Sequence, residues 1–179
     1  MTQYVALLRG INLGKRRIKM AELRQDFEDW GFSAVETILA SGNVIFESRE
    51  GEADEVQGRI EQGFADKYGW NVPTCVRRAK EIRELAESKP FANVPEDHNQ
   101  YITFLAEPPK KALELPFEAV GGAYRILDVQ PGHVVSALDR SQGSGTLDVM
   151  EVLEDLFGES ITTRNWNTVL KIHAKLANG

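Results

Sequence analysis

Hydrophobic and polar positions follow two different spacings along the first 78 residues. Four segments rich in apolar, β-branched and aromatic side chains predict strands, at residues 3–9, 34–40, 43–48 and 72–76. Between them, apolar residues recur at helical spacing over 20–30 and again over 53–68, which predicts two helices. The predicted order is β-α-β-β-α-β, the order of a ferredoxin-like unit with two helices on one face of a four-stranded antiparallel sheet.

Glycine, serine and proline mark the ends of these elements. Gly31 is placed to end the first helix, and Ser41-Gly42 is a hairpin turn signal between the second and third strands. Pro73 cannot donate to a strand ladder, so it favours an edge position for the fourth strand. Gly58 and Gly63 fall inside the second helix, where each costs about 1 kcal/mol relative to alanine. Close packing against a sheet would be a reason to keep them.

The remaining residues predict a second set of elements after a short linker. A helix over 79–88 leads into the stretch 89–97, which has the composition of a linker. A strand, a short helix, two strands and two helices follow, at 100–105, around 109–115, and at 124–129, 132–138, 147–157 and 163–177. We therefore predict an α+β protein with two ferredoxin-like subdomains, 1–88 and 98–179, that form one compact unit.

The composition is that of an ordinary globular protein. The 179 residues are 42% hydrophobic and 27% charged, which suffices for a substantial core. Cys75 is the single cysteine and can form no internal disulfide, which indicates a reducing compartment. The apolar run near the N-terminus is too short to span a bilayer and has no basic leader, so we expect a cytoplasmic protein without a membrane partner. The net charge of −6 argues against broad nucleic-acid binding.

Three polar segments interrupt the pattern where strands or helices begin or end. They are Arg9 to Lys15, Ser41 to Asn43, and Thr162 to Thr168. In the predicted first unit, the loop after the first strand and the hairpin after the second strand lie at the same end of the sheet. The first two segments are therefore expected to lie side by side, although about thirty residues separate them.

The first segment has the composition of an anion-binding loop. Gly10 and Gly14 allow the backbone to turn its N–H groups toward a ligand, and Lys15 and Arg16 add positive charge. Its glycine spacing matches neither a Walker A loop nor the dinucleotide-binding fingerprint. A tight strand-to-helix turn with solvated basic side chains explains the same residues, and both interpretations stay open.

The other two polar segments can likewise be interpreted either as part of a binding site or as ordinary turn and cap residues. Ser41-Gly42-Asn43 is ordinary turn chemistry, and a binding role requires Ser41 or Asn43 to face the first loop. Arg164 falls early in the predicted last helix, after Thr162 or Thr163 as N-cap. The helix dipole disfavours a cation there unless Glu159 or a bound anion lies nearby. The candidate ligand-binding residues are Arg9, Gly10, Asn12, Gly14, Lys15, Ser41, Asn43, Arg164 and Asn165.

The second half of the chain contains a polar loop and an amphipathic last helix. The loop Arg140–Gly145 has a mobile composition and could be a lid or a plain connector. The last helix is expected to bury one stripe of side chains, Trp166, Leu170, His173 and Ala177, with Val169 and Leu176 beside it.

The histidines and the cysteine suggest no catalytic arrangement. His98 and His133 have no Ser or Cys in a recognisable nucleophile setting, and His173 lies on the stripe predicted to be buried. Cys75 falls in a predicted strand, and we expect it to be an inert core residue. No Cys or His spacing suits zinc and no acidic loop suits calcium, so we expect no metal and no cofactor.

Taken together, the three polar segments resemble those of a family of small bacterial proteins, domain of unknown function 1697. The matching residues are Leu7–Gly14, Ser41–Phe46 and Thr163–Lys171, and the similarity extends over nearly the whole chain. The resemblance implies a pair of ferredoxin-like subdomains, which agrees with the element order. It implies no catalytic residues.

The leading hypothesis is a cytosolic binding module for an anionic small molecule that bears phosphate or carboxylate. The Gly10–Lys15 loop and Arg164 would form its site, so Arg9, Lys15 and Arg164 should share one cleft. An enzyme acting on a phosphorylated small molecule is the alternative. An RNA-binding protein is the second alternative, which the net charge and the lack of an aromatic run in the first sheet disfavour.

Overall fold

The structure, a computed structural model, describes residues 1–49, 51–142 and 149–177. Its strands are β1 (Thr2–Leu8), β2 (Ser33–Ile38), β3 (Asn43–Ser48), β4 (Thr74–Arg78), β5 (His98–Leu105), β6 (Phe117–Ala119), β7 (Tyr124–Gln130), β8 (His133–Asp139) and β9 (Ile161–Asn165). Its helices are α1 (Met20–Asp29), α2 (Ala53–Tyr68), α3 (Ala79–Glu87), α4 (Val149–Phe157) and α5 (Trp166–Ala177). The α+β class is confirmed.

The first sheet has the strand order β2-β3-β1-β4, and every pair is antiparallel. The element order predicted for residues 1–78 is present, and β4 lies at the edge that Pro73 indicated. Residues 4–8 of β1 are buried without alternation, because both faces of this strand are covered. Tyr4, Ala6 and Leu8 pack with α1 and α2, whereas Val5 and Leu7 face the second half of the chain.

The second sheet has the order β6-β7-β8-β5-β9 and is also antiparallel. Without the short β6, its order repeats that of the first sheet position by position. The helix predicted around 109–115 is wrong, since this stretch is irregular and leads into β6. Only residues 110–115 lie between Pro109 and Pro116, which is less than two turns of helix and too short to be stable alone.

The start of the last helix also differs from the prediction. Residues 161–165 form β9, which pairs with β5, and α5 begins only at Trp166. The β-branched pair Thr162-Thr163 suits a strand, and a neighbouring strand edge was available to it. The N-cap is therefore Asn165 and not Thr162 or Thr163, because its Oδ1 accepts from the backbone N and the Oγ1 of Thr168, both at 2.9 Å.

The buried stripe of α5 is rotated relative to the prediction. Val169, Ile172 and Leu176 are buried, whereas Leu170 is 38% exposed and His173 is only half-buried. The face that carries Val169, Ile172 and Leu176 packs into the core, and the face that carries Leu170 and His173 does not. Of the loop predicted over Arg140–Gly145, residues 140–142 form a single 3₁₀ turn, and residues 143–145 lie outside the described residues.

The two halves share one hydrophobic layer. α3 and α5 pack between the sheets, in a cluster that joins Val5 and Leu7 of β1 to Ile102 and Phe104 of β5. α4 covers the opposite face of the second sheet through Leu153 and its neighbours. Among the described residues, no helix has the length and apolar character needed to cross a membrane.

Candidate functional site

The guanidinium of Arg164 links β9 to the first half of the chain. Its Nε donates to Asn43 Oδ1 at 2.6 Å, and its Nη2 donates to the carbonyl oxygens of Leu8 at 2.7 Å and Ser41 at 3.0 Å. The Gly42 carbonyl lies 3.4 Å from the same nitrogen. The end of β1, the β2–β3 hairpin and β9 are therefore held together by one side chain.

The remaining N–H groups of Arg164 are used within its own strand. Nη1 donates to Thr162 Oγ1 at 2.7 Å and to the Thr163 carbonyl at 3.0 Å. All five N–H groups of the guanidinium thus have protein acceptors, and all of these acceptors are neutral. Burial disfavours the charged form and lowers the pKa of Arg164 to about 10, so the side chain stays charged at neutral pH. The guanidinium therefore has no N–H group left over for a ligand.

The hairpin that receives Arg164 is itself tightly fixed. Asn43 is 1% exposed, and its Nδ2 donates to the Ile38 carbonyl at 2.9 Å and to Ser41 Oγ at 3.0 Å. Gly42 has φ +77°, and a Cβ there would lie 3.0 Å from the Cβ of Leu8. Only glycine fits this turn against β1 without strain.

Arg9 forms a second link between the halves. Its Nη1 donates to the Glu159 carbonyl at 2.6 Å, and its Nη2 forms an ion pair with the Glu154 carboxylate of α4. Its backbone N donates to the Pro73 carbonyl at 3.0 Å. Glu159, considered from the sequence as a partner for Arg164, is instead a partner of Arg9 through its backbone.

The loop between β1 and α1 is organised by Asn12. This residue has φ +60°, its N donates to the Arg16 carbonyl at 2.7 Å, and its Nδ2 donates to the Ala40 carbonyl at 2.8 Å. Its Oδ1 accepts from Ile18 N at 2.9 Å. These bonds tie the loop to the β2–β3 hairpin, so the expected proximity of the first two polar segments is observed.

Three basic side chains of this loop are exposed. Lys15 points into solvent, Arg16 donates to the Asn71 carbonyl at 3.1 Å with its guanidinium 5.9 Å from the Trp70 ring centroid, and Arg17 Nε lies 3.3 Å from the Gly14 carbonyl. Within the described part of the chain, none of the three forms an ion pair with a carboxylate. The loop therefore presents three positive charges to solvent, and the hydrogen bonds of Asn12 hold its backbone in place.

The predicted site residues thus differ in what they contact. Ser41, Asn43 and Arg164 are in direct contact, and Arg9 lies beside them but turns toward α4. Asn165 is occupied as the cap of α5. Of the predicted site residues in the loop, Gly14 and Lys15 are exposed, and Gly10 and Asn12 are half-buried.

The described residues also form two cavities. One, of about 430 Å³, lies between α3 and the β7–β8 turn, with Arg77 and His133 in its wall. The other, of about 450 Å³, is polar and lies at the start of α5, where Asn165 and Arg140 line it. The residues of the first are far apart in sequence and of unremarkable local composition, so only the folded chain brings them together. The second includes Asn165 of the third polar segment and Arg140 of the loop predicted over 140–145.

Among the described residues, Asp97, His98 and Asp139 have ligand atoms within 4.8 Å of one another. The His98 ring lies 2.8 Å from the Asp97 carboxylate, and the Asp139 carboxylate accepts from Ser141 N at 2.8 Å and Ser141 Oγ at 2.7 Å. Acidic groups of this kind are common without a metal ion, and no second feature among the described residues points to one.

Two reactive side chains have shifted pKa values. Cys75 is 2% exposed, and burial raises the pKa of its thiol to about 11, which fits the inert core residue expected from the sequence. Burial and the nearby charge of Arg77 lower the pKa of His133.

The three polar segments lie at one junction between the two halves of the chain. Among curated proteins, none matches this chain. The fold is similar to that of the conserved bacterial protein SP0830 from Streptococcus pneumoniae, with a TM-score of 0.74 and 25% sequence identity over 99% of both chains. The family described as protein of unknown function DUF1697 matches residues 1–131, which include the first two polar segments. The chain therefore belongs to the DUF1697 family.

Proposed function

We propose that this protein is a cytosolic binding module for an anionic small molecule that bears phosphate or carboxylate. The ligand contacts come from the loop between β1 and α1, above all from Lys15, Arg16 and Arg17. The observation that carries the proposal is that these three cations are exposed and without a carboxylate partner in the described structure, while the chain as a whole has a net charge of −6.

The fixed backbone of the loop supports this proposal. Asn12 bonds both sides of the loop and the hairpin, so little backbone freedom is lost when a ligand binds. Gly10 and Gly14 have φ +72° and +57°, and among the described residues no atom beyond the chain neighbours lies within 4 Å of a Cβ at either position. Their open faces leave room for a ligand to approach the main chain.

Arg164 takes a different part in this proposal from the one expected of it. Because its five N–H groups bind protein oxygens, it positions the hairpin and the end of β1 beside the loop and does not contact the ligand. Asn43 and Asn165 act in the same indirect way, the first through Arg164 and the second through α5.

The two alternatives receive less support. RNA binding through an open sheet would need an uncovered face, but helices or the opposite half cover both faces of each sheet in the described structure. An enzyme acting on a phosphorylated molecule would use the same cationic loop, and turnover of a bound compound would distinguish it from a binding module.

A thermal-shift screen tests the proposal. The compounds are inorganic phosphate, citrate, a nucleoside triphosphate, a sugar phosphate and a short RNA, each with the wild type, Lys15→Ala, Arg17→Ala and Lys171→Ala. A ligand at a hundred times its dissociation constant should add about 2.7 kcal/mol to stability. We expect this gain in the wild type and a reduced gain in both loop variants.

Lys171→Ala is the matched control, since Lys171 is an exposed lysine on α5. It should respond as the wild type does. The proposal fails if no compound shifts the melting temperature, or if the two loop variants and the control respond equally.

A further inference from the structure

The cavity between α3 and the β7–β8 turn is separate from the cationic loop. Its volume of about 430 Å³ is within the range of small-molecule sites, and its walls come from both halves of the chain. α3 forms one wall, and residues 128–135 form much of the other. None of the three polar segments lines it.

The floor of this cavity is apolar. Ile82 and Leu85 of α3 meet Phe104 of β5 and Val135 of β8, and each of these side chains is no more than 5% exposed. An apolar body resting here would be shielded from water on that side, which favours binding in proportion to the area covered.

The polar part of the lining carries an excess of negative charge. Three carboxylates, of Glu81, Glu84 and Asp128, stand against the single guanidinium of Arg77, which leaves a net charge of −2. Glu84 pairs with Lys80 at 3.5 Å, whereas Glu81 and Asp128 form no ion pair within the described part of the chain.

The two unpaired carboxylates are held in place by neutral donors. Glu81 Oε2 accepts from Arg78 N at 2.7 Å, at the start of α3. Asp128 accepts from Val129 N and from Gln130 Nε2, both at 2.9 Å. Neutral donors fix the position of a carboxylate while leaving its charge uncompensated.

Arg77 is occupied elsewhere. Its guanidinium donates to the carbonyl oxygens of Val76 at 2.7 Å, Gly132 at 2.6 Å and Leu105, and it lies 6.0 Å from the ring centroid of Phe104. These bonds tie β4 to β5 and to the β7–β8 turn. Arg77 therefore closes the cavity between the halves, and it is not paired with the two carboxylates.

We propose that this cavity binds an organic amine, with its cationic group at Glu81 and Asp128 and its apolar body against Phe104 and the α3 side chains. The apolar floor matches the apolar body of such a molecule, and the acidic wall matches its cationic group. The site differs from the anion site in ligand charge and in every residue, so either proposal can fail without the other.

Three probes of the same shape test the charge. Benzylamine, benzyl alcohol and benzoate are titrated into the isotope-labelled full chain, and the amide signals of Leu105, Gly132 and His133 are followed by NMR. We expect saturable shifts with benzylamine and at least about fivefold weaker binding of the alcohol, the size of one partly exposed charge interaction. Equal affinities for the three compounds, or shifts that map elsewhere, would overturn the proposal.

Isosteric variants test the two carboxylates. Glu81→Gln and Asp128→Asn should each weaken benzylamine binding about fivefold and leave benzyl alcohol binding unchanged. Glu87→Gln is the control, because Glu87 is exposed on the same helix and does not line the cavity. Since Glu81 also accepts a bond at the start of α3, Asp128→Asn serves if the first variant is unstable. Unchanged benzylamine binding in Asp128→Asn would contradict the proposal.

Discussion

At the scale of single residues, Arg164 shows how a partly buried cation is stabilised without a carboxylate. Its donors reach backbone oxygens of Leu8 and Ser41 as well as the Asn43 amide oxygen. The planar fork of five N–H groups matches this spread of acceptors, which an ammonium group cannot do.

Arg164→Lys should therefore be strongly destabilising, by about 3 kcal/mol or more, because several acceptors lose their donor at once. Urea denaturation measures this difference. Arg17→Lys is the control on the exposed loop and should stay within about 0.5 kcal/mol of the wild type. A similar small change for both variants would show that the Arg164 bonds contribute little to stability.

His133 gives a prediction of pH dependence. Its pKa in the folded protein lies below the ordinary value of 6.5, so the unfolded chain binds the proton more readily. The stability that the neutral ring contributes is fully present above about pH 6.5 and is lost as the pH falls through the folded pKa. Between pH 8 and pH 5 the wild type should lose more stability than His133→Gln, as measured by urea denaturation at each pH. Parallel losses would contradict the shift.

At the scale of elements, the two glycines of α2 have different reasons to be there. A Cβ on Gly63 would lie 2.3 Å from Trp30 Cε2, and Trp30 is itself packed against Phe64 with ring centroids 4.9 Å apart. The close packing considered from the sequence is thus real for Gly63, although its partner is Trp30, just after α1, and not a sheet. Gly58 is exposed, and apart from the backbone of α2 no atom of the described residues lies within 4 Å of a Cβ there.

Opposite effects are expected from alanine at these two positions. Gly58→Ala should stabilise the protein by about 0.5–1 kcal/mol through helix propensity. Gly63→Ala should destabilise it by about 1–3 kcal/mol, because the Trp30 ring must move. Melting temperatures of the two variants measure the contrast, and a shift of the same sign in both would contradict this account.

Two elements were predicted wrongly because their conformation depends on which other parts of the chain pack against them. Residues 161–165 extend because the edge of β5 accepts them, and residues 110–115 are too few to form a helix that nothing supports. By contrast, β1 and α2 have long, consistent patterns, and their predicted ends fall within one or two residues of the observed ones.

At the scale of the whole molecule, the shared layer of α3 and α5 joins the two halves. The inner face of the first sheet, with Val5, Leu7, Ile45 and Cys75, packs against side chains of the second half. Arg9 and Arg164 add polar links at one end, and Arg77 adds another between β4 and the second sheet. Each half alone would expose a large apolar surface.

Residues 1–88 expressed alone should therefore fail to melt cooperatively, while the full chain melts in one transition. Differential scanning calorimetry of both proteins measures this. Arg9→Met in the full chain is the milder perturbation and should cost about 1 kcal/mol, since its ion pair with Glu154 is partly exposed. A stable, cooperative fragment would show that the predicted subdomains are independent folding units.

The sequence by itself determined the α+β class, the order of the first six elements and the adjacency of the first loop to the β2–β3 hairpin. Those features follow from local spacing and turn chemistry, which short stretches of chain contain in full. Only the tertiary structure decided that Arg164 is consumed by internal hydrogen bonds and that Lys15 remains available. Three acceptors of Arg164 belong to Leu8, Ser41 and Asn43, more than a hundred residues away in the sequence, and no local pattern indicates them.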